Sequence, residues 1–81
     1  MADDEQIKSW RASISPSENL AAEIASWARG QEAWTMVPYG TQIPGIRPDF
    51  DPAEFDLALA LLAERGILTR DRGEYFVAPG S

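Results

Sequence analysis

The side chains able to do chemistry in this chain are carboxylates and arginines, gathered in its second half. Asp49, Asp51, Glu54 and Asp56 crowd one short span, and Glu64 follows them. Arg47 precedes that span, while Arg65, Arg70 and Arg72 come after it. Carboxylates at this density suit a basic protein surface, and arginines suit phosphates. Neither group forms a catalytic constellation. The chain has no histidine and no cysteine, which removes disulfides, thiol nucleophiles, the ordinary zinc sites and any imidazole base. Carboxylates can act alone in hydrolysis, but the six glycines are scattered and build no phosphate-cradling loop. The sequence predicts a non-enzymatic protein with no cofactor and no metal site.

These residues are positioned by the stretch from Asp51 to Pro79. Asp51 suits an N-cap, since its carboxylate can accept from free N–H groups of the first turn. Pro52 fits the first helical position, where no N–H is needed. Glu54 places negative charge at the positive end of the helix dipole. Strong helix formers then run to Arg65, predicting a helix over 52–65 that Gly66 ends. Phe55, Ala58, Leu59 and Leu62 make one inward stripe at i, i+3, i+4 and i+7. Leu57, Ala60 and Leu61 are apolar off that stripe. Either another element of the chain covers them, or Leu57 and Leu61 meet a partner or a second copy. Ile67-Leu68-Thr69 and Tyr75-Phe76-Val77 are strand-like runs, and Asp71-Arg72-Gly73 supplies a turn between them. A β-hairpin over 67–78 is expected.

A capped apolar helix, a glycine stop and a hairpin follow one another as in the second half of a winged-helix domain. Residues 51–79 thus resemble the winged-helix (winged helix-turn-helix-like) superfamily, over about a third of the chain. The resemblance implies an α+β fold: a small winged-helix-like domain of about three helices with a C-terminal β-hairpin wing. It also implies a grip on a macromolecule, without naming one, because the fold hosts many functions.

The remainder is read as part of one domain over 1–81. Residues 1–15 suggest a short amphipathic helix on Ile7, Trp10, Arg11 and Ile14, either docked on the domain or an arm that orders on a partner. After Ser15-Pro16-Ser17, the residues Leu20, Ile24, Trp27 and Ala28 predict a helix over 17–30. Residues 31–50 read as an irregular loop with a short strand at Trp34 to Val37, stopped by Pro38. Many winged helices add such a strand to the wing. They also place a second helix in this region, which here shrinks to one turn at most, around Thr41 to Ile46. Tyr39, Ile43, Ile46 and Phe50 either fold that loop onto the core or form a contact surface. The tail from Ala78 to Ser81 is expected to be loose.

The formal net charge is −6 and the sequence pI about 4.4. No apolar run approaches the ~20 residues of a membrane span, and the N-terminus is acidic rather than signal-like. A cytoplasmic protein without a membrane partner is the expectation. Phosphates would be repelled by carboxylates at the start of the helix that normally enters the major groove. The leading expectation is therefore protein–protein binding through an acidic, partly apolar helix. Asp49, Asp51, Glu54 and Asp56 would face a basic surface, with Leu57 and Leu61 as apolar anchors. Basic surfaces abound on nucleic-acid-handling complexes, so a small regulator or inhibitor of one fits. In size and acidity the chain is similar to small phage-encoded inhibitors, including anti-CRISPR proteins. As an appendage of a larger assembly it would compare with winged-helix pieces of mobile-element replication proteins. The alternative is a DNA-binding transcriptional regulator, in which Arg47, Arg65, Arg70 and Arg72 hold phosphates from the wing side and a homodimer adds affinity. Against it, the arginines after the helix can instead pair locally with Glu64, Asp71 and Glu74.

Overall fold

The computed structural model describes residues 4–79. The first three residues of the expected N-terminal helix or arm, and Gly80 and Ser81 of the tail, lie outside the described residues. The element order is α1 (Asp4–Ala12), α2 (Pro16–Ala28), a 3-10 turn (Gly40–Gln42), α3 (Pro52–Glu64), β1 (Leu68–Asp71) and β2 (Glu74–Val77). Three helices followed by a C-terminal hairpin make a small α+β domain of winged-helix-like topology.

Helix α1 is docked, burying Ile7 and Trp10 against α2. It stops at Ala12 because its last carbonyls already have a partner. Asn19 Nδ2 donates to the carbonyls of Trp10 at 2.9 Å and Ser13 at 2.8 Å, satisfying groups that a helix end leaves free. Ile14, expected on the apolar stripe, therefore falls in the connection and is 100% exposed. The spacing was right, but the helix ended before reaching it. Helix α2 begins at Pro16, with Ser15 as N-cap accepting from the Glu18 N–H. It spans fewer residues than the 17–30 segment at its C-terminal end. Its inward residues are mostly small (Ala21, Ala22, Ala25, Ala28) around Ile24. Small side chains let α1 and α3 both pack closely on it.

Helix α3 has the Asp51 cap and Pro52 start, and buries Phe55, Ala58, Leu59 and Leu62. Its end is a Schellman arrangement: Gly66 N–H donates to Ala63 O at 3.1 Å and Ile67 N–H to Leu62 O at 2.9 Å. Gly66 makes this possible by taking φ +79°. The chain then enters the antiparallel hairpin in the register Leu68↔Val77, Thr69↔Phe76, Arg70↔Tyr75, Asp71↔Glu74. Arg72 and Gly73, both at positive φ, form its two-residue turn.

The loop of 31–50 adds a third, minimal strand. Met36 bridges Phe76, supported by Trp34 N–H to Val77 O at 2.8 Å and Val37 N–H to Tyr75 O at 2.9 Å. The second helix of a winged helix is reduced to the 3-10 turn. Ile43 and Ile46 anchor the loop in the core, and Phe50 packs against it half-buried. Gly40 adopts φ +59°, and a Cβ there would lie 2.6 Å from Cζ of the Phe50 ring, so the position has room only for glycine.

Candidate functional site

The α3 residues facing away from the core are Ala53, Asp56, Leu57, Ala60 and Glu64, all exposed. Leu57 is 57% exposed, a large apolar group surrounded by small and acidic neighbours. The helix sequence PAEFDLALALLAE holds three carboxylates and no cation. The surface that a winged-helix DNA reader turns to the major groove is thus acidic and partly apolar.

The expected site residues do not all meet. Residues two apart on a helix face different sides, so Glu54 and Asp56 stand on opposite flanks of α3. Glu54 is half-buried, and Leu61 is half-buried against the core cluster. The outward face keeps Asp56 and Leu57, and gains Ala53, Ala60 and Glu64. Asp51 is exposed, but one carboxylate oxygen accepts from Ala53 N–H at 2.9 Å and so caps the helix. Asp49 is exposed in the preceding loop.

The arginines are dispersed as well. Arg65 Nη1 donates to Gln6 Oε1 at 3.1 Å, and its guanidinium carbon lies 5.8 Å from the Trp10 ring centroid. It thereby ties the end of α3 to α1. Arg70 lies over the Tyr75 ring at 5.8 Å. Arg72 is exposed at the wing turn, and Arg47 is exposed in the loop before α3. Among the described residues no salt bridge joins these arginines to Glu64, Asp71 or Glu74; the two present are Arg11–Glu23 at 3.1 Å and Asp4–Arg29. The Arg29 guanidinium holds the Asp4 carboxyl below its ordinary value by hydrogen bonding and by charge.

Beside the acidic face, between α3 and β2, lies an open cleft of roughly 200 Å³. Phe55 and Leu59 line it from α3, Val37 and Tyr39 from the loop, and Glu74 and Tyr75 from β2. Tyr39 is 57% exposed, yet its ring sits 5.4 Å from Phe50 and 5.3 Å from Phe55, so the wall is firmly placed. On the other side of the wing sheet, Trp34 is 55% exposed at φ 67° and packs 6.2 Å from Phe76. Sequence reasoning missed the cleft because three separated stretches build it. Tyr39, an aromatic between two turn formers, was the one visible signal.

Among the described residues no group of three or more His, Cys, Asp or Glu could hold a metal ion. None of their helices is long and apolar enough to cross a membrane. No protein-family model matches the chain, and neither a curated protein nor a solved structure does.

Proposed function

We propose that this chain is a protein-binding module that presents the outward face of α3 to a basic partner. The observation that carries the reading is the inversion of charge on that helix: Asp56 and Glu64 flank an exposed Leu57, with no cation from Pro52 to Glu64. Phosphates are repelled by such a face, whereas a lysine- and arginine-rich surface is steered toward it. Leu57, with Ala53 and Ala60, supplies apolar contact at the centre, where binding energy concentrates. A regulator or inhibitor of a nucleic-acid-handling complex, encoded by a phage or mobile element, is the role this combination suits. Asp49 and Asp51 extend the negative field at the start of the helix, and Glu54 and Leu61 lie on its flank.

The test is a pull-down from the source cell with charge-matched variants. Asp56→Lys/Glu64→Lys and Glu5→Lys/Glu32→Lys each change the net charge from −6 to −2. The partner held by the wild type is expected to be kept by the second variant and lost by the first. A partner that both variants keep removes the reading.

A wing-led contact to DNA is the second reading, favoured by Arg70 and Arg72 lying together on the wing. It requires binding that weakens with salt, and a salt slope that falls by about 2 in Arg70→Ala/Arg72→Ala. Unchanged DNA affinity in that variant excludes it.

A further inference from the structure

The wing sheet buries one face and leaves the other open. Leu68 and Val77 pair across β1 and β2 and point into the core. Side chains alternate along a strand, so Arg70 and Tyr75 share that inner face. The Thr69–Phe76 and Asp71–Glu74 pairs stand on the outer one. Met36 bridges Phe76 and so joins the outer face, where it is 53% exposed. Trp34 completes it, exposed and with its ring 6.2 Å from Phe76. The outer face is an apolar strip of Trp34, Met36 and Phe76 with a carboxylate pair at its turn end.

Trp34 holds its place against the local backbone preference. It is the third residue of a turn from Glu32 to Thr35, closed by Thr35 N–H donating to Glu32 O at 3.2 Å. Its φ is +67°, and Ala33 before it is not at positive φ. That is the type II pattern, whose third position favours glycine. A bulky residue there is strained, and such strain gathers at working sites. Glycine would suit the turn better and the strip worse.

The charges select what the strip takes. Asp71 and Glu74 are both exposed and face each other across the hairpin. Neither has a salt bridge among the described residues, not even to Arg72 in the turn between them. Like charges set directly opposite weaken a hairpin, so an arriving cation relieves repulsion as it pairs. The same carboxylates repel phosphates, which disfavours Trp34 and Phe76 as a stacking platform for nucleic-acid bases.

We propose that the outer face of the wing sheet is a second protein-binding surface. It takes a segment of a protein partner with arginine or lysine at one end, paired with Asp71 and Glu74. Aliphatic side chains at the other end pack on Phe76, Met36 and Trp34. This face is turned away from the core that α3 packs on, and it stands independently of the reading given for that helix.

The test titrates isotope-labelled full-length protein at low salt with three blocked peptides, Arg-Arg-Leu-Leu-Leu, Arg-Arg-Ala-Ala-Ala and Glu-Glu-Leu-Leu-Leu. The first is expected to bind at least about tenfold tighter than the second, as a few buried carbons allow, and the third not to bind. Its shifts should fall on the Trp34 indole N–H and the amides of Met36, Thr69 and Phe76. Trp34→Gly, at a position glycine fits, should weaken it about tenfold. Asp71→Asn/Glu74→Gln, which folds because it removes the facing charges, should weaken it severalfold. Equal affinity of the first two peptides, or shifts confined to Asp56, Leu57 and Glu64, would overturn the proposal and leave the acidic-helix reading standing. No binding of the first peptide, or binding that both variants retain, would overturn it too. A single-stranded oligothymidylate that shifts Trp34 would make the face a base-stacking platform instead. Shifts that follow protein concentration alone, with a doubled mass by light scattering, would assign it to a second copy. Either result overturns the proposal.

Discussion

Substituting Gly40 by alanine strikes the loop that replaces the second helix and holds Tyr39 at the cleft. Two penalties combine there. Gly40 has φ +59°, and placing an L-residue in that region costs about 1–2 kcal/mol. The new Cβ would also lie 2.6 Å from Phe50 Cζ and 2.7 Å from Cε1. These are ring atoms wedged between Tyr39 and Phe55, and forcing them aside costs about 1–3 kcal/mol. The sum, about 2–5 kcal/mol, is large beside the ~4–12 kcal/mol expected for a chain of this length. A loss of 3 kcal/mol would lower Tm by about 12–24 °C. Gly66→Ala is the control. It shares the positive φ, at +79°, but its Cβ would meet nothing within 4 Å, so only the conformational penalty of ~1 kcal/mol or a little more applies. Urea unfolding of both variants, followed by tryptophan fluorescence, measures the difference. Gly40→Ala/Phe50→Leu, which removes the clashing ring, should recover part of the loss through a coupling of the two sites. If Gly40→Ala is no more destabilising than Gly66→Ala, the close approach of backbone and ring is refuted.

Three further outcomes follow from single contacts. Asp51→Ala should cost about 1 kcal/mol by removing the cap on Ala53 N–H, while Asp51→Asn retains most of it; equal unfolding midpoints for the two would deny the cap. Arg72→Asn should raise stability by about 0.5–1 kcal/mol, because Arg72 sits at φ 54° in a turn type that asparagine prefers; thermal unfolding decides it. The depressed Asp4 carboxyl makes its contact with Arg29 stabilising above the ordinary value of 3.8 and progressively lost as pH falls below it, through the folded value. A carboxyl-carbon NMR titration should give an Asp4 midpoint below 3.8 that rises in Arg29→Gln. A midpoint that does not move would rule out the pair.

What the sequence made legible is what short-range chemistry encodes. Helix α3 and the wing rest on neighbours in the chain: the Asp51 cap, Pro52, the Gly66 stop and the Arg72-Gly73 turn. Periodicity marked the α3 core because four residues at helical spacing face one way. The same rule misplaced Ile14, since the end of α1 is set by Asn19 reaching back from α2. That contact leaves no local pattern. The loop of 31–50 was opaque for a related reason. Its strand exists through one bridge to Phe76, and its turn depends on a glycine lying against a ring. The acidic character of α3 was plain in the sequence, but its geometry was not. Asp56 and Glu54 looked like one cluster until the helix put them on opposite flanks, and Glu64 joined the outward face from a full two turns away.

The measurement that bears most directly on the acidic-helix reading is a pair of parallel titrations of the isotope-labelled protein at low salt. One uses duplex DNA of random sequence and the other an arginine-rich peptide. Low salt maximises any phosphate attraction. The expected result is no response to DNA, with peptide-induced shifts at Asp56, Leu57, Ala60 and Glu64. DNA-induced shifts at Arg70 and Arg72 that fade as salt is added, with α3 silent toward the peptide, would contradict it and make the wing the working surface.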